Sequence, residues 1–222
     1  MNKSSLLCLL QLSNSSLPVG AYSYSESLEQ LIESNLITED NSLKQWLLNE
    51  LKYGSIRIDT AIMTRAYQAF LEQDKDKLIY WNNWLSASRE AIELRQQSWQ
   101  MGKSLIRLVR ALEPSNQAII DSISAIRDPC NYGIIFGIVS ANWQISLEDT
   151  VLAYLHSWVN NLINVGVKLI PLGQTTGQKT LLALNHNLID IAQEILALDD
   201  DNLKLEFLEL YQLDYDSVLI II

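Results

Sequence analysis

Two stretches of this chain come close to a phosphate-cradling loop, and neither completes the pattern. Gly173-Gln174-Thr175-Thr176-Gly177-Gln178-Lys179-Thr180 carries Gln178 where such a loop needs its second glycine, the residue that lets the backbone wrap the phosphates, and the segment before it is predicted to be helix where a strand is required. Met101-Gly102-Lys103-Ser104 fails in the same way, with Gln97 in place of the leading glycine. Metal chemistry is equally poorly served. His156, His186, Cys8 and Cys130 are scattered and none stands four residues from another, so no zinc or nickel cage is legible. With two histidines in the chain, spacing offers no basis for a Ser-His-Asp or Cys-His set. The expectation is a binding protein without a catalytic group, cofactor or metal of its own.

Charge and composition narrow the partners. Sixteen Lys and Arg against 26 Asp and Glu give a net charge of −10, a field that repels phosphate backbones and disfavours nucleic acid. Cys8 and Cys130 lie in apolar surroundings, a pattern of buried thiols in a reducing compartment, which points to the cytoplasm. Lys3 followed by Leu6 to Leu12 superficially resembles a signal peptide, but Gln11 interrupts it and no small-residue cleavage site precedes Pro18. Nowhere do 18 apolar residues run together, so no membrane span is expected. At 222 residues one domain over 1–222 suffices, burying roughly 70–75% of the unfolded surface.

The elements that must position any binding surface are helices. Ser4 or Ser5 can cap a first helix through Gln11. In Leu17-Pro18-Val19-Gly20-Ala21-Tyr22-Ser23-Tyr24-Ser25-Glu26-Ser27-Leu28-Glu29, Pro18 and Gly20 force a turn, and Ser23 with Glu26 has capping-box spacing. A helix from Ser23 to about Ser34 should therefore present Tyr22 and Tyr24 at its entrance. Thr38 to Asn41 supply oxygens for the next N-terminus, Gly54 interrupts that helix, and Asp59 is placed to restart it. Met63 reads as a core gap-filler, and Trp81 and Trp84 as core or interface. The longest uninterrupted apolar pattern runs from Arg89 to Glu113, where Pro114 stops it. Ser115 opens a shorter helix to about Arg127. Asn131 to Trp143 is apolar nearly all round and belongs at the centre of the fold if helical. Ser146 opens a helix over Leu147 to Leu169, Pro171 ends it, and Thr180 to Leu198 is amphipathic. The apolar tail ending in Val218 to Ile222 needs cover from its own core or another chain. The fold class is all-α, a single-domain bundle of roughly nine or ten helices.

Three strings carry a family resemblance. The leucine-rich opening followed by LPVGAYSYSESLE, the Glu93, Arg95, Ser98, Gln100, Met101, Gly102 pattern, and LIPLGQTTGQ at residues 169–178 are similar to the urease accessory protein UreF family. Ile135, Phe136 and Gly137 match a further segment, with Asn131 standing where a histidine is usual in that family. The C-terminus departs from the family's ending, since no arginine follows Arg127. What the resemblance implies is a non-catalytic cytoplasmic scaffold, a homodimer, that joins a second accessory protein, UreH or UreD, and the GTPase UreG to apo-urease for nickel insertion, with possible modulation of GTP hydrolysis. Nickel and GTP would belong to the partners. The interface residues expected on this basis are Tyr22, Tyr24, Ser25, Glu29, Arg95, Gln100, Gly173, Gln174 and Gln178. The competing readings are a P-loop-like helical NTPase using Gly173 to Thr180, and a helical adaptor unrelated to urease.

Overall fold

The computed structural model describes residues 2–20, 27–89, 91–127 and 129–208, and every regular element among them is helical. The order is α1 (Lys3–Leu12), α2 (Leu28–Glu33), α3 (Asp40–Tyr53), α4 (Ser55–Leu71), α5 (Lys75–Ser88), α6 (Ile92–Leu112), α7 (Gln117–Ile126), α8 (Tyr132–Asn142), α9 (Leu147–Leu169) and α10 (Gln174–Ala197). Residues 200–208 form an eleventh helical stretch among the described residues, one more than the pattern suggests.

The bundle is built around α8 and α4. Nine of the eleven α8 residues are buried, as a helix without a polar face requires. It is flanked by α4 and α6, while α4 also meets α5, α3 and α9, and α9 runs along α10. Phe136 of α8 meets Tyr154 edge-on at 4.9 Å, and Tyr132 stacks on Tyr154 at 5.8 Å. Met63, Phe136, Leu47 and Leu85 are fully enclosed, each such side chain contributing about 1.5–3 kcal/mol of transfer free energy.

Several boundaries differ from the expected ones for identifiable reasons. Asn2, not Ser4 or Ser5, caps α1: its side chain accepts from the Ser5 amide at 2.8 Å, while the buried Ser5 hydroxyl donates to the Gln144 carbonyl at 2.9 Å. The Ser23–Glu26 capping box lies outside the described residues, and the described helix opens at Leu28 behind Ser27, whose φ is +70°. Asp59 does not restart a helix. Gly54 is the N-cap of α4 and Ser55 its first residue, which leaves Asp59 mid-helix and buried. Asn116, one residue after Ser115, caps α7 by accepting from the Ile119 amide. Glu39, within the Thr38–Asn41 cluster as expected, is the N-cap of α3, and Ser42 completes a capping box with it, accepting from the Glu39 amide at 3.2 Å. At 21 residues α6 is shorter than α9 with 23 and α10 with 24. Ser146 caps α9 as expected, accepting from the Asp149 amide at 3.1 Å.

The stretch 200–208 is pinned to the bundle by two buried arginines of α4. Arg57 forks onto the Glu206 carboxylate at 2.9 and 3.0 Å and reaches Glu194 at 3.0 Å. Arg65 bonds Asp200 at 3.0 Å and the Leu198 carbonyl at 2.7 Å while lying over the Trp81 ring. Leu203 is fully buried and Phe207 packs edge-on against Trp84 at 5.0 Å. Leu203 and Phe207 are thus taken up by the chain's own core, whereas Leu205 and Leu208 stay exposed. The Val218–Ile222 end of the tail lies outside the described residues.

Glu113, just past α6, is the hub of a polar cluster, accepting from Asn116 at 2.6 Å, from Asn142 at 3.0 Å and from the Trp143 indole. Burial alone would push its carboxyl up, but these three donated bonds prevail and hold it below its ordinary value of 4.5. A carboxyl lowered in the folded state stabilises the fold above its unfolded pKa and loses that contribution as pH falls through the folded value. Glu113→Gln should therefore be less stable than the parent at neutral pH, with the difference shrinking as urea titrations are repeated at lower pH, below about 4. A difference independent of pH would show that ionisation of Glu113 is not what the cluster uses.

Candidate partner-binding surface

The chain is anchored in the core on both sides of residues 21–26. Leu17 and Val19 are buried, Gly20 takes φ +80°, and Leu28 on the far side is fully enclosed. Tyr22, Tyr24 and Ser25, between these anchors, lie outside the described residues. Glu29 follows in the first turn of α2 and is exposed, where a carboxylate also suits the positive end of the helix.

Gly173 to Gln178, left between the helices expected at Leu147 to Leu169 and Thr180 to Leu198, instead open α10. Gly173 is the N-cap of α10, and its carbonyl accepts from the Thr176 and Gly177 amides at 2.9 and 3.2 Å. Gln174 and Gln178 project from the first turns into solvent, while Gly177 and Thr180 turn inward. The segment follows helix α9 and continues straight into helix α10, so it lacks the strand-loop-helix geometry that wraps phosphates.

On α6 the two candidates part company. Arg95 is half-buried, its guanidinium lying over the Trp99 ring at 5.6 Å and donating to the Ser86 carbonyl at 3.5 Å. Gln100 is exposed and lines a groove of about 580 Å³ together with Gln96, Trp99, Lys103 and Pro129. Glu29 and the start of α10 share α9 as a packing partner, whereas α6 rests principally on α8. The expected residues therefore fall into two groups on different supports.

Two internal polar arrangements escaped the sequence. Asn131 is fully buried, and its side-chain amide donates to the Asn82 backbone and side-chain oxygens at 3.0 Å each and to Ser86 at 2.7 Å. Asn82 in turn donates to the Pro129 carbonyl at 3.0 Å. Asn131 is thus a strut between α8 and α5, facing away from any surface. Asp59, from α4, pairs with Arg89, which also donates to the Leu94 carbonyl at 2.8 Å. Burial pushes the Asp59 carboxyl up and outweighs the opposing pull of Arg89. The pair borders a cavity of about 90 Å³ beneath residues 12–19, shared with Ser98, Tyr132 and Tyr154. The one available signal was an aspartate flanked by Ile58, Ala61 and Ile62 inside an apolar stripe. His156 and His186 are both exposed, Cys8 and Cys130 are unbridged, and among the described residues no His, Cys, Asp and Glu group could hold a metal ion. No helix among the described residues is long and apolar enough to cross a membrane.

The UreF family model matches residues 37–185, a span that starts just before α3, takes in the whole of α4, α6, α8 and α9, and ends within α10. The chain belongs to the UreF family. Among proteins named urease accessory protein UreF, one from a Nostoc species is 54% identical over 198 residues, covering 89% of this chain and 85% of the relative. One from a Synechocystis species is 49% identical over 212 residues, covering 91% and 89%. One from Chromohalobacter salexigens is 33% identical and covers 88% and 83%. The UreF match takes in Arg95, Gln100, Gly173, Gln174 and Gln178, whereas Glu29 and the turn before it precede the matched residues.

Proposed function

We propose that this chain acts as a non-catalytic cytoplasmic scaffold in urease maturation, joining UreH or UreD and the GTPase UreG to apo-urease so that nickel is inserted. The observation that carries the reading is family membership spread over nearly nine-tenths of the chain. In this reading nickel is cargo and GTP the partner's nucleotide, the scaffold works as a homodimer, and its contacts tune the partner's GTP hydrolysis. Gln100, Gln174, Gln178 and Glu29 contribute exposed polar contacts, Gly173 sets the direction in which Gln174 and Gln178 point, and Arg95 holds Trp99 at the edge of the groove. Exposed, flexible amides beside an aromatic suit a docking surface that must form and release.

Co-expression of the tagged chain with the urease accessory proteins and urease subunits tests this. The parent should retain UreH and UreG on the resin and raise urease activity. The combined Gln100→Ala, Gln174→Ala and Gln178→Ala variant should lose about tenfold in retained partner, the effect of one to two hot-spot residues, without a change in melting temperature. Undiminished retention by that variant would remove these residues from the interface, and absence of any retention by the parent would overturn the scaffold role.

A further inference from the structure

The exposed ridge of α6 carries a charge pattern out of keeping with the rest of the molecule. Residues 94–112 contain Arg95, Lys103, Arg107 and Arg110 and no acidic residue, inside a chain of net charge −10. Gln96, Gln100, Lys103, Arg107 and Arg110 recur at alternating steps of four and three and all are exposed, so they form one line along the helix. Elsewhere Arg57, Arg65, Lys75, Lys77, Arg89 and Lys204 each find a carboxylate. Among the described residues Lys103, Arg107 and Arg110 meet none; neither do Lys3, Lys44, Lys52, Arg95, Arg127, Lys168 and Lys179, but no three of those share one face of a helix.

The helix itself does not account for these charges. Like charges at i, i+4 and i, i+3 destabilise a helix. The macrodipole rewards a cation in the last turn, which covers Arg110, but fades before Arg107 and Lys103. At its other end the ridge opens on the groove of about 580 Å³ lined by Trp99 and Pro129 together with Glu93 and Lys103, so an apolar side chain fits there and the partner's carboxylates belong further along, over Lys103, Arg107 and Arg110. Half-exposed Ile92 continues the same line.

We infer that this ridge docks an acidic amphipathic helix of a partner protein, an inference that rests on the scaffold reading in taking a protein as the occupant. From Gln96 to Arg110 the ridge is roughly 21 Å long, four turns, so carboxylates on a facing helix at the same four-and-three repeat meet Lys103, Arg107 and Arg110 in register. An apolar residue one or two turns away enters the groove. The acidic balance of the rest of the chain disfavours such a helix over most of the surface, which steers docking to this line and orients it.

Fluorescence anisotropy on the full chain tests this with two labelled helical peptides of roughly 18 residues, one with glutamates along one face and a single leucine anchor, the other with lysines at the same positions. The glutamate peptide should bind, weaken as salt rises, and lose roughly tenfold in affinity on K103Q/R107Q/R110Q, three exposed pairs acting together. Those positions are solvent-facing, so the melting temperature should stay unchanged. Lysine-peptide binding should be insensitive to the triple substitution. Equal binding of the glutamate peptide to parent and variant, or no binding below about 1 mM, would overturn the inference. Tighter, ridge-dependent binding of a short RNA duplex would overturn it too. No urease component enters this assay, so failed co-purification with intact peptide binding counts against the urease role alone, and the reverse outcome against the ridge alone.

Discussion

Asp59→Ala should destabilise the fold by about 3–5 kcal/mol, the cost of leaving a buried charge without its partner. Asp59 and Arg89 bridge α4 to the segment that enters α6, and Arg89 spends a second donor on the Leu94 carbonyl. Its Nε already lacks an acceptor among the described residues, so removing the carboxylate leaves the half-buried guanidinium with the Leu94 carbonyl as its remaining acceptor among them. Against a total stability of roughly 5–15 kcal/mol this is a large fraction. The double variant Asp59→Leu with Arg89→Met should recover most of the loss, because both ions leave the interior together. Urea unfolding of the two singles and the double decides the matter. Additive losses in the double variant would mean that each side chain is held by something other than the other.

Gly137→Val should cost about 3 kcal/mol and lower the melting temperature by about 6–12 °C. A Cβ at position 137 would lie 2.5 Å from the Met63 carbonyl oxygen and 3.1 Å from the Tyr67 amide nitrogen. Both are backbone atoms of α4, and neither can move without separating the two helices at the centre of the fold. Gly133, one turn earlier on α8, is a built-in control. There the nearest atoms stand at 3.3 and 3.4 Å, and the helix preference of alanine over glycine, about 1 kcal/mol, offsets the tighter fit. Gly133→Ala should leave the melting temperature nearly unchanged. If both substitutions cost the same, close approach of α4 and α8 is not what demands glycine at position 137. Loss of this crossing would also shift α6, which rests on the other side of α8 and carries Gln100 and the basic ridge.

The class of fold, the identity of α8 as the central helix and the span of α9 were all legible in the order of residues, because they depend on periodicity and on capping groups that act within one or two turns. The family resemblance was legible for a similar reason: its strings are local. Boundaries were less so wherever a side chain with capping chemistry had a distant use. Ser5 gives its hydroxyl to Gln144 across 139 positions, and Asp59, which has the chemistry of an N-cap, sits mid-helix to meet Arg89. Gly173 to Gln178 read as a loop because glycines and threonines are poor helix formers, yet packing of Gly177 and Thr180 against the bundle carries the helix through them.

What the order of residues determined by itself was therefore an all-helical chain of the UreF kind, with an acidic balance and three short marker strings. Only the tertiary structure decided which of the marked residues reach solvent. It turned Gln100, Gln174 and Gln178 outward, laid Arg95 over Trp99, and made Asn131 an internal strut. It also assembled the α4 arginines with residues 198–206 and left the α6 cations without a carboxylate. Helical periodicity is set by neighbours three and four residues apart, whereas exposure and charge pairing depend on which helices meet, and that is settled by long-range packing that no local pattern encodes.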